Sequence, residues 1–334
     1  MRAWKDALIA SPVKRALPLL SFPCVSLLGV TVEELVQSAA LQARGMALVA
    51  DKVPASAAVG MMDLSVEAEA FGAAVRFQRG EVPTVTGALV RGMEAAQALR
   101  VPPVGAGRTG VYVQAVREAA AIIHDRPVLA GVIGPFSLAG RLMGVTDVMT
   151  DLYDEPEAVH EVLAKAADFV TRYALAFREA GANGVVIAEP LAGLLSPALA
   201  EEFSEPYVRQ IARAVRDGGF LAVYHNCGNS APRMIPSILR TGCDAFHFGD
   251  TADMPAVLAQ MPPDALVLGN VSPSAQFAGG TPEGVRAATL DLLRSCAPGH
   301  PNYVVSSGCD IPPSAPWENI LAFFGAVQEY YQAV

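Results

Sequence analysis

From about residue 127 onward, short apolar runs alternate with long segments of helical period, and this alternation constrains the fold more than any other feature of the chain. Pro127–Val132, Gly184–Ala188, Phe220–Tyr224, Ala245–Phe248, Leu266–Gly269 and Tyr303–Ser306 are too short for helices and rich in β-branched or apolar residues, so they read as buried strands. Between them lie amphipathic stretches. In Glu157–Glu179 the residues Val159, Val162, Leu163, Ala166, Phe169, Val170, Tyr173 and Phe177 recur at helical spacing. Pro156 behind Asp154 and Glu155 marks the start of that helix, and Gly181 marks its stop. Leu17–Phe22 and Leu48 to about Asp51 supply two further strand candidates, for a total of eight. Strand–helix repetition with eight runs is the pattern of a single (β/α)8 TIM barrel, here with an N-terminal extension and irregular loops in the first third. One unit spanning residues 1–334 is expected, with no linker and no repeat.

A doubly wound sheet is the competing architecture. Gly105-Ala-Gly107-Arg-Thr-Gly110 matches a dinucleotide fingerprint literally, but Pro102 and Pro103 stand where its strand should be. A loop before a helix over Val111–Ile123 is the better reading. Composition narrows the function. Hydrophobic residues make up 52% of the chain, enough to fill a large core and to exclude a disordered or disulfide-framed protein. A net charge of −9 without clustered Lys or Arg argues against nucleic acid and against a polyanion pocket. The apolar stretch Ala16–Val30 is interrupted by Pro18 and Pro23, so it reads as a first strand rather than a leader peptide, and no membrane span is expected. Five cysteines, an odd number, fit reduced thiols in the cytoplasm.

Catalytic groups of such barrels lie at the C-terminal ends of the strands. There the sequence places His225-Asn226-Cys227-Gly228-Asn229, Ser307-Gly308-Cys309-Asp310, Glu189-Pro190, Asp250 and Asn270. One imidazole and two thiols from different strand ends form a ligand set that suits zinc, and a His-x-Cys pair on extended backbone points both side chains the same way. By spacing alone two readings stand level: zinc ligands, or a satisfied core histidine with two buried small hydrophobes. Cys24, Cys243 and Cys296 lack partners and read as packing. His247 reads as a core or pocket-lining residue, and Asp250 is the better polar candidate for the pocket.

At these residues the chain resembles the uroporphyrinogen decarboxylase superfamily, and within it the methylcobamide:coenzyme M methyltransferase branch. The resemblance spans nearly the whole chain. Its carriers include Met62-Asp63-Leu64-Ser65-Val66-Glu67-Ala68-Glu69, Gly134-Pro135-Phe136-Ser137-Leu138-Ala139-Gly140, Glu189-Pro190, His225-Asn226-Cys227-Gly228-Asn229, Gly269-Asn270-Val271-Ser272-Pro273 and Gly308-Cys309-Asp310-Ile311-Pro312. That branch's His-x-Cys and distant Cys fall on His225, Cys227 and Cys309, which the resemblance makes zinc ligands. It also implies an acidic residue near the metal, here Glu189, as an exchangeable ligand or as a base close by. Asn270 and Ser272 would orient the acceptor. Asp63, Glu67 and Glu69 match an acidic segment of the family, although on their own they describe an exposed helix start.

The resemblance implies transfer of a methyl group from a methylated corrinoid to a thiol acceptor such as coenzyme M, homocysteine being another candidate. No Asp-x-His-x-x-Gly corrinoid motif occurs, so the corrinoid would arrive on a partner protein, with this chain a monomer or homodimer. Decarboxylases of the superfamily hold their polycarboxylate with an Arg-rich N-terminal segment. Here that segment carries Lys5, Lys14 and Arg15 but no Arg-rich run, which leaves decarboxylation, and a non-catalytic barrel that binds a corrinoid protein, as alternatives.

Overall fold

The computed structural model describes residues 1–333. Its strands, in chain order, are β1 (Ala58–Val59), β2 (Ala74–Gln78), β3 (Glu81–Thr86), β4 (Val128–Ile133), β5 (Gly184–Ala188), β6 (Leu221–Asn226), β7 (Ala245–Phe248), β8 (Leu266–Val271) and β9 (Tyr303–Ser307). Seven of them pair side by side in parallel as one curled sheet, β1-β4-β5-β6-β7-β8-β9, while β2 and β3 form a separate antiparallel hairpin. Helices cover the outer face, so each central strand is buried on both sides and reads as a continuous apolar run.

The gap between β1 and β9 is filled by extended chain around Ala16–Leu20. Ser56 donates its backbone N–H to Ala16, Leu17 donates to Val305, and Ile311 donates to Leu19. The segment expected as a first strand, Leu17–Phe22, therefore occupies the eighth staves' position, bonded to both edges but without a regular ladder. Pro18 has no N–H to give to one. Leu48–Asp51 is a correction: it lies inside the helix Ala39–Lys52, which Ser38 caps and whose buried residues follow a helical stripe. The strand on that side is the two-residue β1, built from small side chains with little β signature.

Period-two alternation sorts each strand between two cores. Leu17, Leu19, Val59, Leu129, Val186, Leu221, Val223, Ala245, Leu266, Leu268 and Val304 fill the barrel interior. Val185, Ile187, Ala222, Tyr224, Phe246, Val267 and Val305 face the helices. The long helix Pro156–Glu179 contributes the outer layer's largest share, with its whole expected apolar stripe buried. Met1, Trp4, Leu8 and Ile9 of the first helix pack against the interior cluster. Their helix is tied to Gly218 and Asp264, which precede β6 and β8, so it plugs the barrel's N-terminal end. Lys5 and Lys14 are thereby spent on backbone carbonyls far from the strand C-termini. Among the described residues no helix is long and apolar enough to cross a membrane.

Candidate metal centre

On β6 the inward residues are Leu221 and Val223, and the same parity turns His225 into the barrel at its C-terminal rim. Asn226, facing out, accepts from the Gly228 N–H at 2.9 Å and donates to the Tyr224 hydroxyl at 3.0 Å, which bends the chain so that Cys227 stays at the mouth. The loop after β7 presses against it so closely that a Cβ on Gly249 would collide with the Cys227 backbone. Cys309 enters from beyond β9, where the Gly308 N–H bonds to Val271 at 2.7 Å. One ligand atom each from His225, Cys227 and Cys309 lies within 4.8 Å of the other two. Cys309 Sγ is 3.4 Å from His225 Nε2. A tetrahedral zinc with ordinary Zn–S and Zn–N bonds sets that edge at about 3.5 Å, so the side chains fit the ion with little movement.

Behind the ligand set runs a buried chain of hydrogen bonds. His225 Nδ1 lies 2.8 Å from His247 Nδ1, His247 Nε2 lies 2.8 Å from Ser306 Oγ, and Ser306 Oγ donates to the Leu17 carbonyl at 2.7 Å. The carbonyl can only accept, so the direction of every bond follows from it. Ser306 spends its proton on Leu17 and accepts from His247 Nε2–H. The bare His247 Nδ1 then accepts from His225 Nδ1–H, so that in the neutral imidazole the lone pair falls on His225 Nε2, the atom facing Cys309. His247 stays neutral, because burial and the neighbouring His225 hold its pKa well below the usual histidine range. One main-chain oxygen thus fixes the tautomer of the His225 imidazole through three successive hydrogen bonds.

The thiols are coupled. Cys309 nearby draws the Cys227 pKa down, while the proximity of Cys227 and burial push Cys309 up to about 12. A bound cation would displace the thiol protons, leaving two thiolates and a neutral imidazole as its donor set.

Glu189, expected near the metal, follows β5 but stands apart from this convergence. Its carboxylate is fully buried and accepts from the Phe136 and Ser137 amides and the Ser137 hydroxyl at the start of the helix Pro135–Met143. Burial raises its pKa to about 7 against the pull of those bonds. Gly134 is required beside it, since a Cβ there would overlap the Glu189 carboxyl. Asn270 spends its amide on the carbonyls of Gly249 and Ala252, both at 2.7 Å, and so fastens the loop beside Cys227. Ser272 caps the turn Pro273–Ala278 by accepting from Ala275. Asp250 is exposed at the rim, and its charge is felt at Cys227.

The acidic segment is not an exposed helix start. Asp63 and Glu67 are 4% and 1% exposed. Asp63 is clamped by Arg108, Tyr112 and Ser65, and Arg108 also reaches Glu69 at 2.6 Å. Arg108 comes from the glycine-rich loop; a single arginine among glycines ahead of a helix was its one signal in the sequence. His247 and Ser306 were visible only through strand parity with His225 and Val304.

These features define the class: a parallel-stranded α/β barrel that gathers an imidazole and two thiols into metal-ligand geometry at its C-terminal mouth. The family model for uroporphyrinogen decarboxylase (URO-D) matches residues 23–330, and the chain belongs to this family. It is accordingly an enzyme of the URO-D family. It is 28% identical over 276 residues to the methylcobamide:CoM methyltransferase MtbA of Methanosarcina mazei, covering 80% of this chain and 78% of that protein. It is also 28% identical over 295 residues to the uroporphyrinogen decarboxylase of Hydrogenovibrio crunogenus, covering 84% and 80%. A solved methyltransferase from Methanosarcina mazei superposes with a TM-score of 0.86 at 24% identity over 99% of this chain and 98% of that one, which establishes the fold.

Proposed function

We propose that this chain is a zinc-dependent methyltransferase that moves a methyl group from a methylated corrinoid, carried by a partner protein, to the sulfur of a small thiol such as coenzyme M. The convergence of His225, Cys227 and Cys309 carries this reading. Zinc bound there would supply the positive charge that keeps an acceptor thiol deprotonated at neutral pH. The chain's own residues do the rest. Two cysteines and a neutral histidine hold the ion, His247 and Ser306 hold the histidine, and Asn270 steadies the loop that packs on Cys227. Glu189 braces the neighbouring helix start, within the same rim, as a positioning group. The N-terminal cations, which a polycarboxylate substrate would need at the mouth, are at the opposite end of the barrel.

The test is a pair of assays on zinc-loaded protein. With methylcobalamin and coenzyme M, methyl-coenzyme M is expected by mass spectrometry, with loss in Cys309→Ser. Consumption of uroporphyrinogen without methyl transfer would contradict the proposal in favour of the decarboxylase; neither reaction would leave a binding barrel.

A further inference from the structure

The helix Pro135–Met143 is apolar and buried along its length except at Arg141. This side chain lines a cavity of about 210 Å³ together with Ile133, Ser137, Pro190, Leu191 and Leu194. Arg108, Arg126, Arg172, Arg178 and Arg209, the other arginines that are not exposed, each pair with a carboxylate. Among the described residues Arg141 alone in that group has no carboxylate partner and no hydrogen bond. Asp63, the one acid whose field reaches it, is already engaged by Arg108, Tyr112 and Ser65. Ser137 cannot serve either, because its hydroxyl donates to Glu189 and accepts from Leu191. Burial disfavours the charged guanidinium, and its pKa is held below the usual arginine value. A half-desolvated cation with five donors and an empty dance card of partners is stabilised when an anion enters.

The cavity lies on the same rim as the metal ligands. Ile133 pairs in register with Ala188, and Ala188 with His225. Two interstrand steps separate Ile133 from His225, about 10 Å of backbone. Arg141 lines the cavity at the Ile133 side of that gap, and a short-chain ligand anchored at the thiol site would bridge it.

We infer that Arg141 and its cavity form a subsite for the anionic end, sulfonate or carboxylate, of the thiol acceptor. The inference rests on the thiol-acceptor reading above and adds to it the residue that reads the acceptor's charge. It also accounts for an acidic chain binding a small anion: one committed arginine suffices where a polycarboxylate would need several.

Calorimetric titration of the zinc-loaded wild type, Arg141→Met and Arg141→Lys with three thiols tests it: 2-mercaptoethanesulfonate, 3-mercaptopropionate and the neutral 2-mercaptoethanol. A charge-assisted pair predicts that the wild type binds the better anionic thiol about ten- to a hundredfold more tightly than the neutral one. Arg141→Met should abolish that preference and leave mercaptoethanol binding unchanged, which also shows the variant is folded. Arg141→Lys should keep part of the preference. The better of the two anionic thiols identifies the tail as sulfonate or carboxylate. An anionic preference that survives in Arg141→Met, or a wild type that binds all three thiols equally, overturns the subsite while leaving the thiol-acceptor reading intact. Failure of all three thiols to bind the wild type overturns both.

Discussion

His225 Nδ1 and His247 Nδ1 meet at 2.8 Å with their rings steeply inclined, at 73°, one imidazole donating along its edge to the other. Two histidines side by side would ordinarily leave the protonation of both undecided. Here Ser306 and the Leu17 carbonyl settle it, and the free lone pair falls on His225 Nε2, the atom facing Cys309.

His247→Phe keeps ring volume and removes the acceptor. Zinc affinity should fall about ten- to a hundredfold, the usual effect of removing the partner that orients a metal-bound histidine. Competition against a chelator measures it. Ser306→Ala should give a smaller loss in the same direction. Affinity unchanged in both would show that the hydrogen-bond chain has no hold on the site.

Asp63 and Arg108 form a buried ion pair, with side chains 0% and 8% exposed. Arg108→Met leaves an uncompensated carboxylate in the interior and should cost about 3–5 kcal/mol in urea unfolding. The double variant Asp63→Asn/Arg108→Met should be more stable than the sum of the single changes indicates, because the fully buried charge is gone and only the partly exposed Glu69 loses a partner.

Glu67 is buried, with one oxygen accepting from the Ile133 N–H at 2.9 Å and the other without a partner. Burial raises its pKa from the ordinary 4.5 to about 8. The folded state therefore holds a proton that the unfolded chain releases, and stability declines as pH rises from the unfolded value toward the folded one. Glu67→Gln removes that dependence. Relative to wild type, the variant should gain about 3 kcal/mol between pH 5 and pH 8. A difference that is flat with pH would mean the carboxyl is ionised in the fold.

Gly249→Ala tests the close approach at Cys227. A methyl group there cannot be accommodated without moving the Cys227 backbone. Zinc affinity should drop while the melting temperature changes little, since the displaced loop is at the rim rather than in the core.

Much of the barrel was legible because parallel strands buried on both faces leave unmistakable apolar runs, and the helix Pro156–Glu179 announces itself by period, proline and glycine. The first third was harder for physical reasons. Leu48-Val49-Ala50 is equally a strand fragment and a turn of helix, and only the Ser38 cap upstream distinguishes them. β1 is two residues of small side chains, and Pro18 deprives the closing segment of a ladder. At the site, the three ligand candidates could be found from strand ends. The roles of His247, Ser306, Arg108 and Arg141 could not, because these residues act through contacts between segments far apart in the chain.

The most direct test of the account is metal content. Protein prepared without added zinc, then equilibrated with a zinc buffer and desalted, should carry one zinc per chain by mass spectrometric metal analysis. Cys227→Ser and Cys309→Ser should each lose it. Stoichiometric zinc retained in both variants, or none in the wild type, would contradict the assignment of His225, Cys227 and Cys309 as the metal site.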